Sequence, residues 1–223
     1  DLLAPPGERP AALASWDGAA APWRWVMELL DASRSVLVVI DLQGKLMEVV
    51  HRPKLVVEAT LRLMKLAEMF AVPVLLTEQY PKGLGPTHPD VMAGFDALTV
   101  PKRALAKTAY GCCGEPAFLR AMDELRPRLR SGPRQVVVAG IEAHVCVLQT
   151  VLELIHWGNQ AHVSWDAVSG RGEEYRRHAL ERMAAAGAAI TNHESVGFEW
   201  CRDKSHPRFK DLSNLLKEGQ PAG

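Results

Sequence analysis

Three reactive side chains are spaced along the chain in an order that could build a nucleophilic site. Cys146 lies in GIEAHVCVLQT, where a valine-rich run and Gly140 give way to a helical pattern. Backbone N–H groups at a helix start can lower the pKa of a thiol toward neutrality and can hold a developing oxyanion. A lone buried cysteine is more often a small core residue, so this segment alone leaves both interpretations open.

Asp41 and Lys107 could complete such a site. Asp41 ends the apolar run VVID, where a carboxylate could accept a proton from a nucleophile or, equally, cap a helix. Lys107, in LAKTAY, could stabilise a carboxylate and a thiolate, although a lysine considered by itself is more typical of the solvated surface. Gln79, Tyr80 and Tyr110 follow predicted strands and could line a small substrate pocket or form structural turns.

The elements that must position these residues alternate along the chain. Buried strands are predicted from apolar, β-branched runs at 35–41, 72–78, 134–140 and 160–167, with shorter strands at 96–103 and 188–191. Helices are predicted at 54–70, 115–129, 144–157, 173–187 and 206–218, and a loop at 79–90. This alternation predicts an α/β fold, a three-layer α/β/α, Rossmann-like domain with a mostly parallel sheet of about six strands. Ligands of such sheets bind at the carboxyl ends of the strands.

The bulk composition predicts one domain at residues 34–218 after an N-terminal arm at residues 1–33. The 223 residues are 48% hydrophobic and 23% charged, and the net charge is +0 without a long basic run, which argues against nucleic acid and anionic membranes as partners. No apolar segment approaches the roughly 20 residues that cross a bilayer. The four cysteines form neither a disulfide framework nor a zinc spacing. We therefore expect a cytoplasmic protein.

Several longer motifs carry a family resemblance. They are VIDLQGKL, VPVLLTEQYPKGLG, LAKTAYG, AGIEAHVCVLQT and HPRFKDLSNLLKE. With the order Asp41, Lys107, Cys146 they make the chain similar to the isochorismatase-like cysteine hydrolase family, and in particular to its isochorismatase domain-containing branch. The similarity covers about residues 35–217, which is nearly all of the chain except the arm.

The resemblance implies a role for each residue of the site. Cys146 would be the nucleophile, Asp41 its general base and Lys107 their electrostatic partner. A non-proline cis peptide would join Ile141 to Glu142 and direct the amides of Glu142 and Cys146 into an oxyanion hole. The implied reaction is hydrolysis of a small-molecule amide or carbamoyl compound through a thioester. The resemblance also implies a homo-oligomer.

The chain departs from the family pattern at the metal site. Nicotinamidases of the family carry a D-W-H-P-x-x-H type stretch, whereas the corresponding TEQYPKGLGPTHPD holds one histidine, His88. We therefore predict no metal and no other cofactor. Hydrolysis of the vinyl ether of isochorismate needs acid catalysis rather than a thiol, so Cys146 favours amide-like chemistry. A vinyl-ether hydrolase and a non-catalytic oligomeric binding or scaffold protein remain the alternatives.

The remaining cysteines and one histidine are expected to have structural roles. Cys112 and Cys113 are adjacent but have no second Cys/His cluster at ligand spacing, so we interpret them as incidental to the chemistry. Cys201 is expected in C-terminal packing or a subunit contact. His144 lies two residues before Cys146, a spacing at which side chains along a helix point apart, so no Cys–His pair is expected.

Overall fold

A computed structural model describes residues 27–125 and 133–218. Within these residues six strands form one sheet, namely Ser35–Ile40 (β1), Val74–Gln79 (β2), Lys102–Lys107 (β3), Gln135–Gly140 (β4), Gln160–Val168 (β5) and Ala189–Thr191 (β6). Their spatial order is β3-β2-β1-β4-β5-β6, and every neighbouring pair is parallel. The predicted α/β architecture with six strands is confirmed.

Helices cover the sheet on both faces. The described helices are Gly44–Met47 (α1), Pro53–Met69 (α2), Pro81–Leu84 (α3), Pro89–Asp96 (α4), Pro116–Glu124 (α5), Leu148–His156 (α6), Glu173–Ala185 (α7), His193–Cys201 (α8) and Phe209–Lys217 (α9). A π-helical turn, Ala143–Val147, leads directly into α6. The first 26 residues of the predicted arm and the end of the helix predicted at 115–129 lie outside the described residues, so the domain boundary at residue 34 stays a prediction.

The central strands are continuous apolar runs because both of their faces are buried. Along β1, Leu37 and Val39 join the core beneath α2, α8 and α9, whereas Val36 and Val38 join the core beneath α5, α6 and α7. Every residue of β1 and β4 is buried. This double burial, expected for a parallel sheet between two helical layers, fixes the carboxyl ends of both strands in place.

The third strand was predicted too early in the chain. The segment predicted as a strand at 96–103 contains the end of α4, and β3 begins at Lys102. Lys107 is therefore the last residue of β3 rather than a residue beyond it. The loop predicted at 79–90 likewise contains α3 and the start of α4, two helices that each begin with a proline at the first turn.

Helix α8 is absent from the predicted elements. Its start is defined by Asn192, whose side chain accepts a hydrogen bond from the Ser195 backbone N–H at 2.9 Å. The helix ends in Trp200 and Cys201, which are both buried in the core beneath α2 and α9. The expected C-terminal packing of Cys201 is thus within the chain.

His162 gives the fold a pH-dependent stability. This β5 residue is 2% exposed, and burial lowers its pKa from 6.5 to about 4. Between those values the unfolded chain binds a proton that the folded protein does not, so stability is complete above pH 6.5 and is lost as the pH falls. At about pH 4.5 the loss is expected to be roughly 2–3 kcal/mol.

The replacement His162→Gln should remove most of that loss. Urea unfolding at about pH 7 and pH 4.5 gives the free energy of unfolding at each pH, and the difference between the two values is the loss of stability. His178→Gln is the matched control, since the His178 side chain on α7 is 64% exposed. Equal acid destabilisation of the two variants would contradict the assignment to His162.

Candidate active site

The three predicted catalytic residues meet at the end of the sheet that is formed by the carboxyl ends of the strands. After β1 the chain builds β2 and β3 on one side, and it then returns to place β4 on the other side of β1. This change of direction falls at the carboxyl ends of β1 and β4, the usual ligand position in such sheets. Asp41 follows β1, Cys146 lies in the π-helical turn after β4, and Lys107 ends β3.

A buried ion pair joins Asp41 to Lys107. Asp41 is fully buried with a left-handed backbone, φ 51°, and its Oδ2 lies 2.7 Å from Lys107 Nζ. The Thr77 hydroxyl donates to Asp41 Oδ1 at 2.7 Å. Burial lowers the pKa of the Lys107 ammonium, but the charge of Asp41 acts against burial and the pKa lies above its ordinary value. The site therefore holds one positive charge against one carboxylate.

Cys146 is a neutral thiol in this site. It is 5% exposed, and it lies close enough to Asp41 and Lys107 for both to act on its pKa. Burial, and after it the charge of Asp41, raises the pKa of the thiol to about 12, although Lys107 acts in the opposite direction. Burial and Asp41 thus oppose the lowering of the pKa that a helix start can produce. Lys107 is already paired with Asp41, and the Cys146 sulfur is buried away from water.

The turn before Cys146 has an unusual backbone. Gly140 has φ 128°, and the peptide bond between Ile141 and Glu142 is cis, where the family resemblance placed it. The N–H groups of Val145 and Val147 both donate to the Glu142 carbonyl, which gives the wider turn of a π-helix. The role of the Glu142 and Cys146 N–H groups as an oxyanion hole stays a prediction.

Cys112 lies beside this site, and its interpretation as incidental to the chemistry stays a prediction. It is fully buried, and its Sγ lies 3.9 Å from the Thr77 hydroxyl that holds Asp41. Its backbone N–H donates to Thr150 Oγ1 at 2.9 Å, and that hydroxyl donates to the Cys146 carbonyl at 2.7 Å. Burial raises the pKa of the Cys112 thiol to about 12. Its position just beyond β3, five residues after Lys107, was the available sequence signal.

The three predicted pocket residues have different surroundings. The Gln79 carboxamide accepts from Lys107 Nζ at 2.6 Å and donates to the Thr108 carbonyl at 2.8 Å. Tyr80 is 55% exposed and Tyr110 is 58% exposed. The structure therefore brings Gln79 into the charged cluster and leaves the two tyrosines at the surface. The substrate contacts of all three residues stay predictions.

His144 is directed away from the thiol. Its ring stacks on Tyr175 with the ring centroids 4.7 Å apart, and its Nε2 lies 3.5 Å from Arg171 Nη2. Arg171 also pairs with the Glu142 carboxylate at 2.8 Å. These residues follow β4 and β5, which lie on the other side of β1 from the strand that carries Lys107.

His88 has a structural partner. Its Nδ1 accepts a hydrogen bond from the Asp90 backbone N–H at 3.3 Å, at the start of α4. Among residues 27–125 and 133–218, no three His, Cys, Asp or Glu side chains are grouped so that they could hold a metal ion. The donor set at this position does not fit the metal of the family's nicotinamidases.

No helix within residues 27–125 and 133–218 is long and apolar enough to cross a membrane.

The fold is that of the isochorismatase domain. A family profile of that domain matches residues 35–195, and the chain belongs to this family. Human isochorismatase domain-containing protein 2 is 40% identical over 187 residues, which cover 84% of this chain and 85% of the relative. The predicted family and its domain-containing branch are confirmed.

Two solved structures extend the similarity to the fold. A Caenorhabditis elegans protein described as MAR1 ribonuclease superposes with a TM-score of 0.77 at 32% identity, covering 87% of this chain and 95% of that one. Escherichia coli YcaC, described as an octameric hydrolase of unknown specificity, gives a TM-score of 0.71 at 26% identity and covers 88% and 97% of the two chains. The family thus supports a hydrolase without defining its substrate.

Proposed function

We propose that this protein is a metal-independent cysteine hydrolase that cleaves a C–N bond in a small amide or carbamoyl compound. The observation that carries the proposal is that Cys146, Asp41 and Lys107 are buried together, with Asp41 Oδ2 2.7 Å from Lys107 Nζ and with Asp41 near enough to raise the pKa of the Cys146 thiol. A carboxylate so placed can accept the thiol proton as the sulfur attacks. A resting thiolate is therefore unnecessary. The near-complete burial of Cys146 restricts the site to small substrates.

The first half of the reaction forms a thioester. The Cys146 sulfur bonds to the substrate carbonyl carbon while the thiol proton passes to Asp41. The carbonyl oxygen becomes an oxyanion, to which the N–H groups of Glu142 and Cys146 donate. The C–N bond then breaks, the nitrogen takes the proton from Asp41, and the amine leaves.

The second half of the reaction hydrolyses the thioester. A water molecule gives a proton to Asp41 as its oxygen attacks the thioester carbon. The C–S bond then breaks, the sulfur regains the proton from Asp41, and the carboxylic or carbamic acid leaves. Lys107 stays protonated throughout, so its function is to fix Asp41 and to balance its charge.

Acrylamide tests the nucleophile without knowledge of the natural substrate. It is a small neutral electrophile with a primary amide, and addition of the sulfur to its terminal carbon sends the thiol proton to the adjacent carbon. Peptide mass mapping is expected to find the adduct on Cys146 well before it appears on Cys112, Cys113 or Cys201. In a parallel screen of small amides, Cys146→Ala should reduce amine release by at least about 10³-fold.

Other outcomes of the screen would identify other reactions. Full turnover by Cys146→Ala, with loss in Asp41→Ala, would replace the proposal with vinyl-ether hydrolysis. The C. elegans relative is described as a ribonuclease, so RNA belongs in the same screen, and its Asp41-dependent cleavage would also overturn the proposal. Absence of both turnover and an adduct on Cys146 would favour the binding or scaffold protein.

We also propose that the chain forms a homo-oligomer, as the family resemblance implies and as E. coli YcaC does in its octamer. The monomer mass is 24.5 kDa. Light scattering at micromolar protein is expected to give a mass that is a multiple of this value. A single peak at the monomer mass would contradict the proposal.

A further inference from the structure

We propose that Gln79 and Gln43 are positioning residues that hold the Lys107 ammonium against Asp41, an inference that rests on the proposed function. The two glutamines are buried at the carboxyl ends of β1 and β2. Gln79 contacts the ammonium directly, and Gln43 acts through Gln79. Neither residue needs to touch the substrate in this role.

The Lys107 ammonium has more acceptors than protons. Its Nζ lies 2.6 Å from Gln79 Oε1 and 2.7 Å from Asp41 Oδ2, with the carbonyl oxygens of Ala109 and Tyr110 at 3.1 and 3.0 Å. An ammonium has three N–H donors, and the hydrogen bonds to Gln79, Ala109 and Tyr110 engage all of them, so Asp41 Oδ2 is held as a charge partner. Gln79 Oε1 is the one side-chain oxygen among the three hydrogen-bond acceptors, and it helps to hold Nζ in place.

The orientation of the Gln79 carboxamide is fixed. Its Nε2 donates to the Thr108 carbonyl at 2.8 Å. A flipped amide would place its oxygen against that carbonyl and its NH₂ group against the Lys107 ammonium, and both contacts would be repulsive. The carboxamide can therefore present only its oxygen to Lys107.

Gln43 fixes the backbone of Gln79. Its Oε1 accepts from the Gln79 N–H at 2.7 Å, and its Nε2 donates to the Gln79 carbonyl at 3.0 Å and to the Gly85 carbonyl at 2.6 Å. Pairing of β1 with β2 ends at Ile40 and Thr77, so β1 offers no backbone partner to Gln79. The Gln43 side chain supplies the two hydrogen bonds that a continuing strand would have made.

The other side of Gln79 is paired with β3. Gln79 is in register with Lys107, and the next backbone N–H, that of Tyr80, donates to the Lys107 carbonyl at 2.8 Å. Gln79 is thus held on one side by Gln43 and on the other by the strand that carries the lysine. This arrangement gives the ammonium a defined position opposite Asp41 Oδ2, as a preorganised site requires.

The test compares Gln79→Leu and Gln43→Leu with Gln135→Leu. Gln135 is also a buried glutamine of this sheet, and it accepts from the Asp31 N–H at 2.7 Å and donates to Leu29 O and Gln160 Oε1. It is the first residue of β4. It therefore lies at the amino ends of the strands, at the opposite end of the sheet from the site. The readout is the rate of acrylamide addition to Cys146 across about pH 6.5–8.5 in the full chain.

Gln79→Leu is expected to slow the addition by about 10²-fold at neutral pH, the size of effect that a small misplacement in a catalytic site produces. Gln43→Leu should slow it by about tenfold. In the native protein the rate should change little with pH, because Asp41 removes the proton inside the site. In both variants it should rise by about tenfold per pH unit, as for a thiolate formed by solvent. Gln135→Leu should keep the native rate and profile.

The outcomes separate the two proposals. No adduct on Cys146 of the native protein overturns the proposed function and this inference with it. A reactive native protein, together with a Gln79→Leu rate and pH profile equal to those of Gln135→Leu, overturns this inference alone. Circular dichroism confirms folding, and if Gln79→Leu does not fold, Gln43→Leu carries the test because it keeps the Gln79 carboxamide.

Discussion

Replacement of Asp41 with asparagine is expected to slow acrylamide addition to Cys146 by about 10³-fold, within the range that general bases contribute. The amide can still accept a hydrogen bond but cannot take the thiol proton. The same change leaves the Lys107 ammonium buried without its counter-charge, because this side chain is 1% exposed. Loss of one partner of a buried ion pair costs about 3–5 kcal/mol of folding stability.

A double variant separates these two effects. In Asp41→Asn combined with Lys107→Met the uncompensated charge is gone, so the free energy of unfolding should recover most of its loss. The rate at Cys146 should not recover, since the base is still absent. Urea unfolding and mass mapping of the adduct measure the two quantities on the same samples. A double variant that regains reactivity along with stability would show that Asp41 acts only through the fold.

Replacement of Gly140 with alanine is expected to destabilise the protein by more than about 4 kcal/mol, an exceptional value for one substitution. The added Cβ would lie 2.1 Å from the Ile40 carbonyl oxygen and 2.6 Å from the Ile40 nitrogen. These are backbone atoms of β1, which is buried on both faces, so they cannot move aside as a flexible side chain would. Gly140 also has φ 128°, which L side chains rarely adopt.

Gly158→Ala distinguishes the close contact from the backbone conformation. Gly158 also has a positive φ, 78°, but no atom lies within 4 Å of its added Cβ. The Gly158→Ala substitution should lower the free energy of unfolding by only about 1–2 kcal/mol, which is the cost of holding an alanine in the left-handed conformation. Denaturant unfolding of both variants gives the comparison. Similar destabilisation of the two would contradict the proposed clash with β1.

The fold could be predicted where burial leaves a continuous pattern in the sequence. The central strands β1 and β4 are buried on both faces, and their apolar runs identify them without further information. Edge strand β3 begins with Lys102 and Arg103 and ends with Lys107, because charged side chains are tolerated at a sheet edge. Strand β3 therefore lacks a continuous apolar run, and the sequence pattern places it too early in the chain. Helix α8 is short and has a mixed pattern, so it was missed.

The site could be predicted only in part for a related reason. The family motifs identify Asp41, Lys107 and Cys146 together. The contacts of Asp41 with Thr77 and of Thr77 with Cys112 depend on which strands are neighbours and in which register, and neither property is local in the sequence. The direction of the Cys146 pKa shift depends on burial in the folded chain. Helix-start geometry alone gave the opposite direction.

The pairing of Lys107 with Asp41 has a consequence for the charge of the site during the proposed reaction. Before attack the carboxylate and the ammonium sum to zero with a neutral thiol and a neutral substrate. After attack Asp41 is protonated and the oxyanion balances Lys107, so the sum is again zero. The buried volume never holds an excess charge, which a low-dielectric interior would strongly disfavour. A substrate with an ionised group at the reacting end would break this neutrality, so the proposed reaction favours uncharged amides on electrostatic grounds alone.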